Sequence, residues 1–195
     1  MSEIKHNTPQ PDAAQCYDLH KTVVLVGMMG AGKTAVGRAL AARLGVPFLD
    51  SDAEIESAAN MTIPEIFARD GEAFFRDKES QVIGRLLDEE RGILSTGGGA
   101  FMSEGNRQMI SDRGVSVWLR ADLEVLWNRV RHKDTRPLLR TADPHATLRA
   151  LYEERVPIYQ QADLVADSDG ETAIEDMVDR VLAALVTRRD VLEQK

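Results

Sequence analysis

The stretch that decides the fold is residues 23–40, which read VVLVGMMGAGKTAVGRAL. It opens on a short, continuous apolar run, which is typical of a strand buried on both faces of a parallel sheet. It continues into a segment in which Val36, Leu40 and Leu44 recur at helical spacing before Gly45. The stretch therefore predicts a strand, a glycine-rich loop and a helix in direct succession.

The loop itself, residues 27–34, reads GMMGAGKT and fits the pattern G-x-x-x-x-G-K-[S/T]. Glycines let successive backbone N–H groups turn toward a ligand, and the following helix directs its positive N-terminus at phosphate oxygens. Lys33 would then reach the β- and γ-phosphates, and the Thr34 hydroxyl would ligate Mg²⁺. Four fixed positions recur by chance in about one chain in a hundred of this length. Because the strand and helix that the motif requires are both predicted here, we interpret it as a nucleotide site.

Strands alternate with helices along the rest of the chain. Four more short strands are predicted, at VPFLD, RGILSTGGG, GVSVWLR and DLVADS, and an amphipathic helix is predicted at TAIEDMVDRVLAALVTRR. This alternation with short links predicts an α/β fold of three layers, α/β/α, with a five-stranded parallel sheet. We place one domain at residues 21–195, and we interpret the polar residues 1–20 as a flexible tail.

One segment, residues 131–145, reads RHKDTRPLLRTADPH and shows no clear helical or strand periodicity of apolar residues. A connection of this length inside a compact domain is often functional, for example as a lid. A solvated surface loop is the equally good alternative on sequence grounds.

Composition limits the classes of protein to which the chain can belong. The chain has 195 residues, a net charge of −8 and 43% hydrophobic residues, which suits one acidic domain and argues against broad nucleic-acid binding. No apolar run approaches the roughly 20 residues needed to cross a bilayer, and the start lacks the apolar core of a signal peptide. The only cysteine, Cys16, excludes an intramolecular disulfide and a cysteine-based zinc cluster. We therefore expect a cytoplasmic protein with no membrane or nucleic-acid partner.

Candidate residues for the other half of a site follow the second and third strands. Asp50 and Asp52 follow the second strand, and ligands of open α/β sheets bind beyond the carboxyl ends of strands. A plain cluster of helix N-cap residues is the alternative for this pair. Three successive glycines, residues 97–99, follow the third strand. They cost conformational entropy, and a close approach of the backbone to a ligand is the most economical reason for them.

Charged residues farther along the chain add a third group of candidates. Arg76 and Glu79 are three residues apart, so they would face the same way on a helix and pair. Arg136 lies in TRPLL and Arg155 in ERVPIY. Arginine can grip a phosphate or a carboxylate with two parallel hydrogen bonds, although each of these residues alone would pass for an ordinary surface arginine.

Six short motifs occur in order between about residues 21 and 159: GMMGAGKT, DSD, FFRDKE, TGGGA, RPLL and RVPIY. Together they resemble the shikimate kinase family, small P-loop kinases of the nucleoside-monophosphate-kinase type. The resemblance implies ATP-dependent phosphorylation of the 3-hydroxyl of shikimate, within chorismate and aromatic amino acid biosynthesis. It also implies ATP and shikimate as ligands, Mg²⁺ as the cofactor and a monomeric protein.

The same resemblance assigns roles to individual residues. ATP would be bound by Gly30, Ala31, Gly32, Lys33, Thr34, Ala35, Arg129 and Arg136. Shikimate would be bound by Asp52, Arg76, Gly98 and Arg155, with the two arginines on its carboxylate and with Glu79 orienting Arg76. The catalytic residues would be Lys33, Asp52 and Arg136, and Mg²⁺ would be held by Thr34 directly and by Asp50 through water. The acidic residues 167–172, DSDGET, offer no clear counterpart for an adenine contact.

Three other functions are weighed against this one. A kinase for gluconate or a nucleoside monophosphate shares the phosphate loop, but paired carboxylates and separated arginines suit a hydroxylated acid better. A GTP-binding switch usually carries N-K-x-D, which the sequence lacks, and DSDG at residues 167–170 falls too late in the chain. A catalytically inactive nucleotide-binding module is disfavoured by the joint presence of Lys33, Thr34, Asp52 and Arg136.

Overall fold

A computed structural model describes residues 17–133 and 137–195 and contains seven strands in that part of the chain. In chain order they are β1 (Tyr17–Leu19), β2 (Thr22–Val26), β3 (Phe48–Asp50), β4 (Ile93–Ser95), β5 (Gly114–Ala121), β6 (Leu164–Ser168) and β7 (Leu192–Gln194). Five of them form one parallel sheet in the order β3-β4-β2-β5-β6. The predicted fold class and all five predicted strands are confirmed.

Eight α-helices connect these strands within the described residues. They are α1 (Lys33–Leu44), α2 (Ser51–Ala59), α3 (Ile63–Asp70), α4 (Glu72–Glu89), α5 (Glu104–Arg113), α6 (Leu123–Val130), α7 (Pro144–Tyr159) and α8 (Ile174–Leu185). Two short 3₁₀ turns lie at Ala100–Met102 and Pro137–Leu139. None of the described helices is both long enough and apolar enough to span a lipid bilayer.

The central strand β2 explains why the phosphate loop lies where it does. All five of its residues are buried, and it pairs with β4 on one side and with β5 on the other. Helix α1 packs on α8 and on β4, whereas α5 packs on β5 and on α4. The loop after β2 therefore emerges from the middle of the sheet, at the same edge as the ends of β3 and β4.

A second, smaller apolar cluster lies beside the sheet. Ile55, Ile66 and Phe75 are buried together and come from α2, α3 and α4, and the rings of Phe67 and Phe75 lie 4.8 Å apart. Helix α3 begins at Thr62 with a capping box, in which the Thr62 hydroxyl accepts from the Glu65 N–H and the Glu65 carboxylate accepts from the Thr62 N–H. This helical unit carries the candidate residues that follow β3.

The structure corrects the predicted C-terminal limit of the tail, residue 20. Residues 17–19, which fall within the predicted flexible tail, form β1 and pair antiparallel with β7. The His20 N–H donates to the Val191 carbonyl at 2.7 Å, and Val191 and Leu192 are buried. Residues 1–16 of the predicted tail lie outside the described residues.

The pairing of β1 with β7 generates a prediction about stability. Leu192→Ala should lower the free energy of unfolding by about 2–5 kcal/mol, because Leu192 is 1% exposed and its removal leaves a cavity. The neighbouring Glu193→Ala is the matched control, since its side chain is exposed on the same strand. Urea unfolding of the two variants measures the difference. Equal midpoints would show that the ribbon of β1 and β7 does not contribute to global stability.

Candidate active site

The backbone of the loop after β2 has the shape that its glycines were expected to permit. Gly30 and Gly32 have φ values of 83° and 92°, in the left-handed region where residues with a side chain are strained. A Cβ atom on Gly30 would also lie 2.7 Å from Val130 Cγ1 on α6. The loop is therefore both wound tightly and packed against α6.

The positive end of α1 is directed at this loop. Gly32 is its N-cap and brings no side chain, and the first turn, which lies wholly within the described residues, contains no acidic residue. The Lys33 ammonium donates to the carbonyls of Gly27 at 2.7 Å and Met28 at 3.0 Å, so it lies over the loop. Thr34 is exposed in the first turn. A helix N-terminus and an ammonium group in this arrangement favour phosphate oxygens.

The other predicted nucleotide residues lie around the loop. Ala31 is buried within it, and Ala35 is exposed on the first turn of α1. Arg129 on α6 donates to the Gly30 carbonyl at 3.2 Å. Its second Nη donates to Ser168 Oγ and to the Asp169 carbonyl, both at 2.9 Å. Arg129 thus joins the phosphate loop to the end of β6, in the region 167–172 that the sequence left without a role.

Arg136 cannot be placed in the same way. Arg136 is one of residues 134–136, which lie outside the described part of the chain. The middle of the predicted lid lies outside it as well. The flanking elements are α6, which ends at Val130, and the 3₁₀ turn that begins at Pro137.

The residues proposed for Mg²⁺ fit a metal that is bound mainly through phosphate. Asp50 Oδ1 accepts the N–H groups of Asp52 at 2.9 Å and Ala53 at 3.2 Å, so Asp50 is also the N-cap of α2. Within residues 17–133 and 137–195, no three His, Cys, Asp or Glu side chains form a metal cage. Mg²⁺ keeps several waters and binds through one or two protein oxygens plus substrate phosphates. Thr34 and Asp50 supply such oxygens.

The three glycines after β4 make room for three charged side chains. A Cβ atom added to each glycine would collide with a different one of them. Gly97 would meet Asp52 Oδ1 at 2.9 Å, Gly98 would meet Arg155 Nη1 at 2.8 Å, and Gly99 would meet Arg76 Nη2 at 2.5 Å. The close approach expected from the sequence is therefore an approach to these side chains. It brings together all four residues that the resemblance assigned to shikimate.

Arg76 and Glu79 pair as expected. Arg76 Nη1 donates to Glu79 Oε1 at 2.9 Å, and the Glu79 side chain is only 1% exposed. Burial raises the pKa of Glu79, although the Arg76 guanidinium acts in the opposite direction. The Arg76 side chain is about one-third exposed, and its Nε also lies 3.6 Å from Oε1 of the exposed Glu72.

The Asp52 carboxyl lies where the two halves of the site meet. Burial, and next the neighbouring Asp50 carboxylate, raise its pKa from 3.8 to about 6. The positive charges of Lys33 and Arg76 act in the opposite direction, which places Asp52 within the field of both the phosphate loop and the arginine group. A carboxyl group that titrates near neutral pH is suited to accepting and releasing a proton.

Sequence reasoning missed one residue of this site. Tyr159 is buried at the end of α7, and its hydroxyl donates to the Gly98 carbonyl at 2.6 Å. It appeared only as the last letter of the RVPIY motif. The signal that would have revealed it is its spacing from Arg155, because residues four apart share a helix face.

A strand, a phosphate-binding loop and a helix surround Lys33, and a carboxylate and two arginines lie nearby at the same edge of the sheet. This combination defines a P-loop kinase for a small anionic acceptor. The family model for shikimate kinase matches residues 29–186. The chain belongs to the shikimate kinase family.

Individual relatives agree with this assignment. A shikimate kinase from Ruegeria pomeroyi is 76% identical over 193 residues, which covers 99% of each chain. A shikimate kinase from Cereibacter sphaeroides is 65% identical and covers 98% of this chain and 96% of its own length. The structure of a shikimate kinase from Acinetobacter baumannii in complex with shikimate is 40% identical with a TM-score of 0.78, covering 83% of this chain and 90% of that one.

The raised pKa of Asp52 predicts how stability changes with pH. Because the folded protein releases this proton at a higher pH than the unfolded chain, ionisation of Asp52 costs stability as the pH rises from about 4 through 6. Asp52→Asn removes that cost. Its unfolding free energy relative to wild type should therefore increase between pH 4 and pH 7 by on the order of 1–2 kcal/mol, a value reduced for partial exposure.

Urea unfolding at the two pH values measures this change. Asp112→Asn, on the exposed surface of α5, controls for the loss of one negative charge. If Asp52→Asn differs from wild type by the same amount at both pH values, the raised pKa of Asp52 is refuted.

Proposed function

We propose that the loop of residues 27–34 holds ATP while Asp52, Arg76, Gly98 and Arg155 hold shikimate across the same edge of the sheet. The chain catalyses the transfer of the γ-phosphoryl group of ATP to the 3-hydroxyl of shikimate, in chorismate and aromatic amino acid biosynthesis. The observation that carries the residue roles is the glycine run. It gathers Asp52, Arg76 and Arg155 within contact of one turn, and a Cβ on Gly98 would lie only 3.9 Å from the Gly27 carbonyl of the phosphate loop.

On the donor side, the backbone N–H groups of residues 30–35 and the N-terminus of α1 would bind the phosphates. Lys33 would exchange its loop carbonyls for the β- and γ-phosphate oxygens, which are more strongly negative. Thr34 would hold Mg²⁺ directly and Asp50 through water. When bound, the metal neutralises negative charge on the β- and γ-phosphate oxygens.

On the acceptor side, the fork-shaped guanidinium groups of Arg76 and Arg155 match the shape of a carboxylate. Gripping the shikimate carboxylate there, with help from the Gly98 backbone, would leave the ring hydroxyls facing Asp52. Asp52 would accept a hydrogen bond from the attacking hydroxyl and then its proton. Phosphoryl transfer depends on such positioning and charge neutralisation more than on covalent help from the protein.

The remaining nucleotide contacts are proposed on the far side of the loop. Arg129 is held by Gly30, Ser168 and Asp169, which supports a position beside the adenine ring. Arg136 would neutralise the transferring phosphate when residues 131–145 close as a lid. The exposed Leu138, 55% accessible in that segment, supports this proposal because a closed lid would cover it.

We also propose a cytoplasmic location, which the use of ATP supports, and a monomeric state. Size-exclusion chromatography with light scattering tests the monomer, and a stable dimer at assay concentrations would overturn it.

An acceptor panel tests the function directly. ADP release should require ATP, Mg²⁺ and shikimate together, and gluconate or nucleoside monophosphates should not replace shikimate. Lys33→Ala is the inactive control, because the ammonium over the loop is lost. Strong preference for another acceptor would end the shikimate assignment.

The role of Arg76 gives a separate prediction. Arg76→Ala should raise the KM for shikimate at least about tenfold, since a charged hydrogen bond to the carboxylate contributes roughly 1.5–3 kcal/mol. The KM for MgATP should stay within about twofold. Arg85→Ala is the matched control on the same helix, where Arg85 pairs with the surface residue Glu54. Unchanged KM and kcat in Arg76→Ala would remove Arg76 from the acceptor site.

A further inference from the structure

Tyr159 is a buried polar residue to which the proposed reaction gives no task. It is 1% exposed and is among the largest fully buried side chains of the described residues. Its ring stacks against Phe101 at 6.3 Å and Trp118 at 6.1 Å between centroids. A phenylalanine would fill the same apolar space. A buried phenol is normally retained together with a hydrogen-bond partner, so the identity of that partner is informative.

The partner is the carbonyl oxygen of Gly98, 2.6 Å from the Tyr159 hydroxyl. Burial raises the pKa of Tyr159 to about 12, although the Arg155 guanidinium acts in the opposite direction. The hydroxyl therefore keeps its proton at neutral pH and remains a donor. Its acceptor is the middle residue of the glycine run.

This hydrogen bond fixes the peptide group between Gly98 and Gly99. Because a peptide group is planar and trans, anchoring the Gly98 carbonyl toward Tyr159 turns the Gly99 N–H to the opposite side. The turn is closed on its own backbone by Ala100 N–H to the Gly97 carbonyl at 3.1 Å and by Met102 N–H to the Gly99 carbonyl at 3.2 Å. Within the described residues, the N–H groups of Gly98 and Gly99 donate to no protein acceptor. Both are therefore available to an anion.

Arg155 belongs to the same group. It lies one helical turn before Tyr159 on α7, so the two side chains share a face of the helix. A Cβ atom on Gly98 would lie 2.8 Å from Arg155 Nη1 and 3.8 Å from the Tyr159 hydroxyl. The hydroxyl, the guanidinium and the glycine peptide thus form one contiguous contact.

The contact of the Tyr159 ring with Trp118 leads to the phosphate loop. The ring stacks on Trp118, and Trp118 Cδ1 would lie 3.5 Å from a Cβ on Gly27. The Gly27 carbonyl accepts the hydrogen bond from Lys33. Tyr159 is therefore seated between the two halves of the site without reaching the surface of either.

We infer that Tyr159 is a positioning residue, whose hydroxyl holds the Gly98–Gly99 peptide and the adjacent Arg155 in the orientation that binds the acceptor carboxylate. This inference rests on the proposed function, because the carboxylate in question is that of shikimate. It acts through Gly98 and Arg155 and requires no contact between Tyr159 and the substrate.

Tyr159→Phe isolates the hydroxyl, because the ring and its stacking on Phe101 and Trp118 are retained. The KM for shikimate should rise about five- to tenfold, the range expected for one neutral hydrogen bond that organises a site. The KM for MgATP should stay within about twofold and kcat within about threefold. Tyr152→Phe is the matched control, a half-buried tyrosine on the same helix with no part in the site.

A second measurement separates positioning from loss of folded protein. KM does not depend on the fraction of enzyme that is folded, whereas the measured kcat does, and the Tm of each variant is recorded alongside. A shikimate analogue without the carboxylate should be used equally well by wild type and by Tyr159→Phe. The preference of the enzyme for shikimate over this analogue should therefore be smaller in Tyr159→Phe than in wild type. The reason is that only shikimate has the carboxylate that binds the Gly98–Gly99 peptide and Arg155.

The outcomes are distinguishable. If the wild type releases no ADP with shikimate, the proposed function itself fails. If the wild type is active but Tyr159→Phe keeps its KM for shikimate, the positioning role is overturned, whether or not the Tm falls. A rise in the KM for MgATP equal to that for shikimate also overturns it, because the effect would then be general to the fold.

Discussion

The proposed acceptor half of the site depends on the absence of a Cβ atom at three successive positions. Gly97, Gly98 and Gly99 lie at the end of a buried strand, where side chains from three other elements converge. Any side chain on this turn would occupy space that Asp52, Arg155 or Arg76 already fills. The entropy that three glycines lose on folding is therefore offset by the close gathering of charged groups that are far apart in sequence.

The two carboxyl groups beside this turn, those of Glu79 and Asp52, are in different electrostatic environments. Glu79 is almost fully buried and binds one edge of the Arg76 guanidinium. An arginine has five donors in a fixed plane, so one edge can be held by the protein while the other serves a ligand. Asp52 is partly buried and lies beside the like charge of Asp50, and these two effects make it hold its proton more tightly than an ordinary aspartic acid does. Glu79 thus orients Arg76, whereas Asp52 is the carboxyl group that we propose accepts a proton from the substrate.

The sequence predicted most of the fold because the deciding signals are local. The apolar run of β2, the glycine loop and the spacing of Val36 and Leu40 all lie within one short stretch. The capping box of α3 is likewise a local feature, since Thr62 and Glu65 are three residues apart. The pairing of β1 with β7 was not predicted, since Lys21 and Asp190, which form an ion pair at its base, are 169 residues apart. No local period signals a partner at that distance.

The site was predictable in its residues but less so in its contacts. Asp52, Arg76, Gly98 and Arg155 followed from the resemblance, and the structure places them together. Pattern alone did not show that each glycine accommodates one of the other side chains. It also did not show that Arg129 donates hydrogen bonds to Ser168 and Asp169. These contacts depend on the tertiary crossing of elements, which sequence spacing does not encode.

The ribbon of β1 and β7 has a consequence for how the chain matures as it leaves the ribosome. The five-stranded sheet is complete at Ser168, and α8 can dock soon afterwards. β1 precedes the strands of the sheet along the chain, whereas its partner β7 follows all of them. Domains fold as their segments emerge, and contacts of long sequence separation form slowly. All five strands of the sheet therefore precede β7 along the chain, so β1 can pair with β7 only after the strands of the sheet have been synthesised.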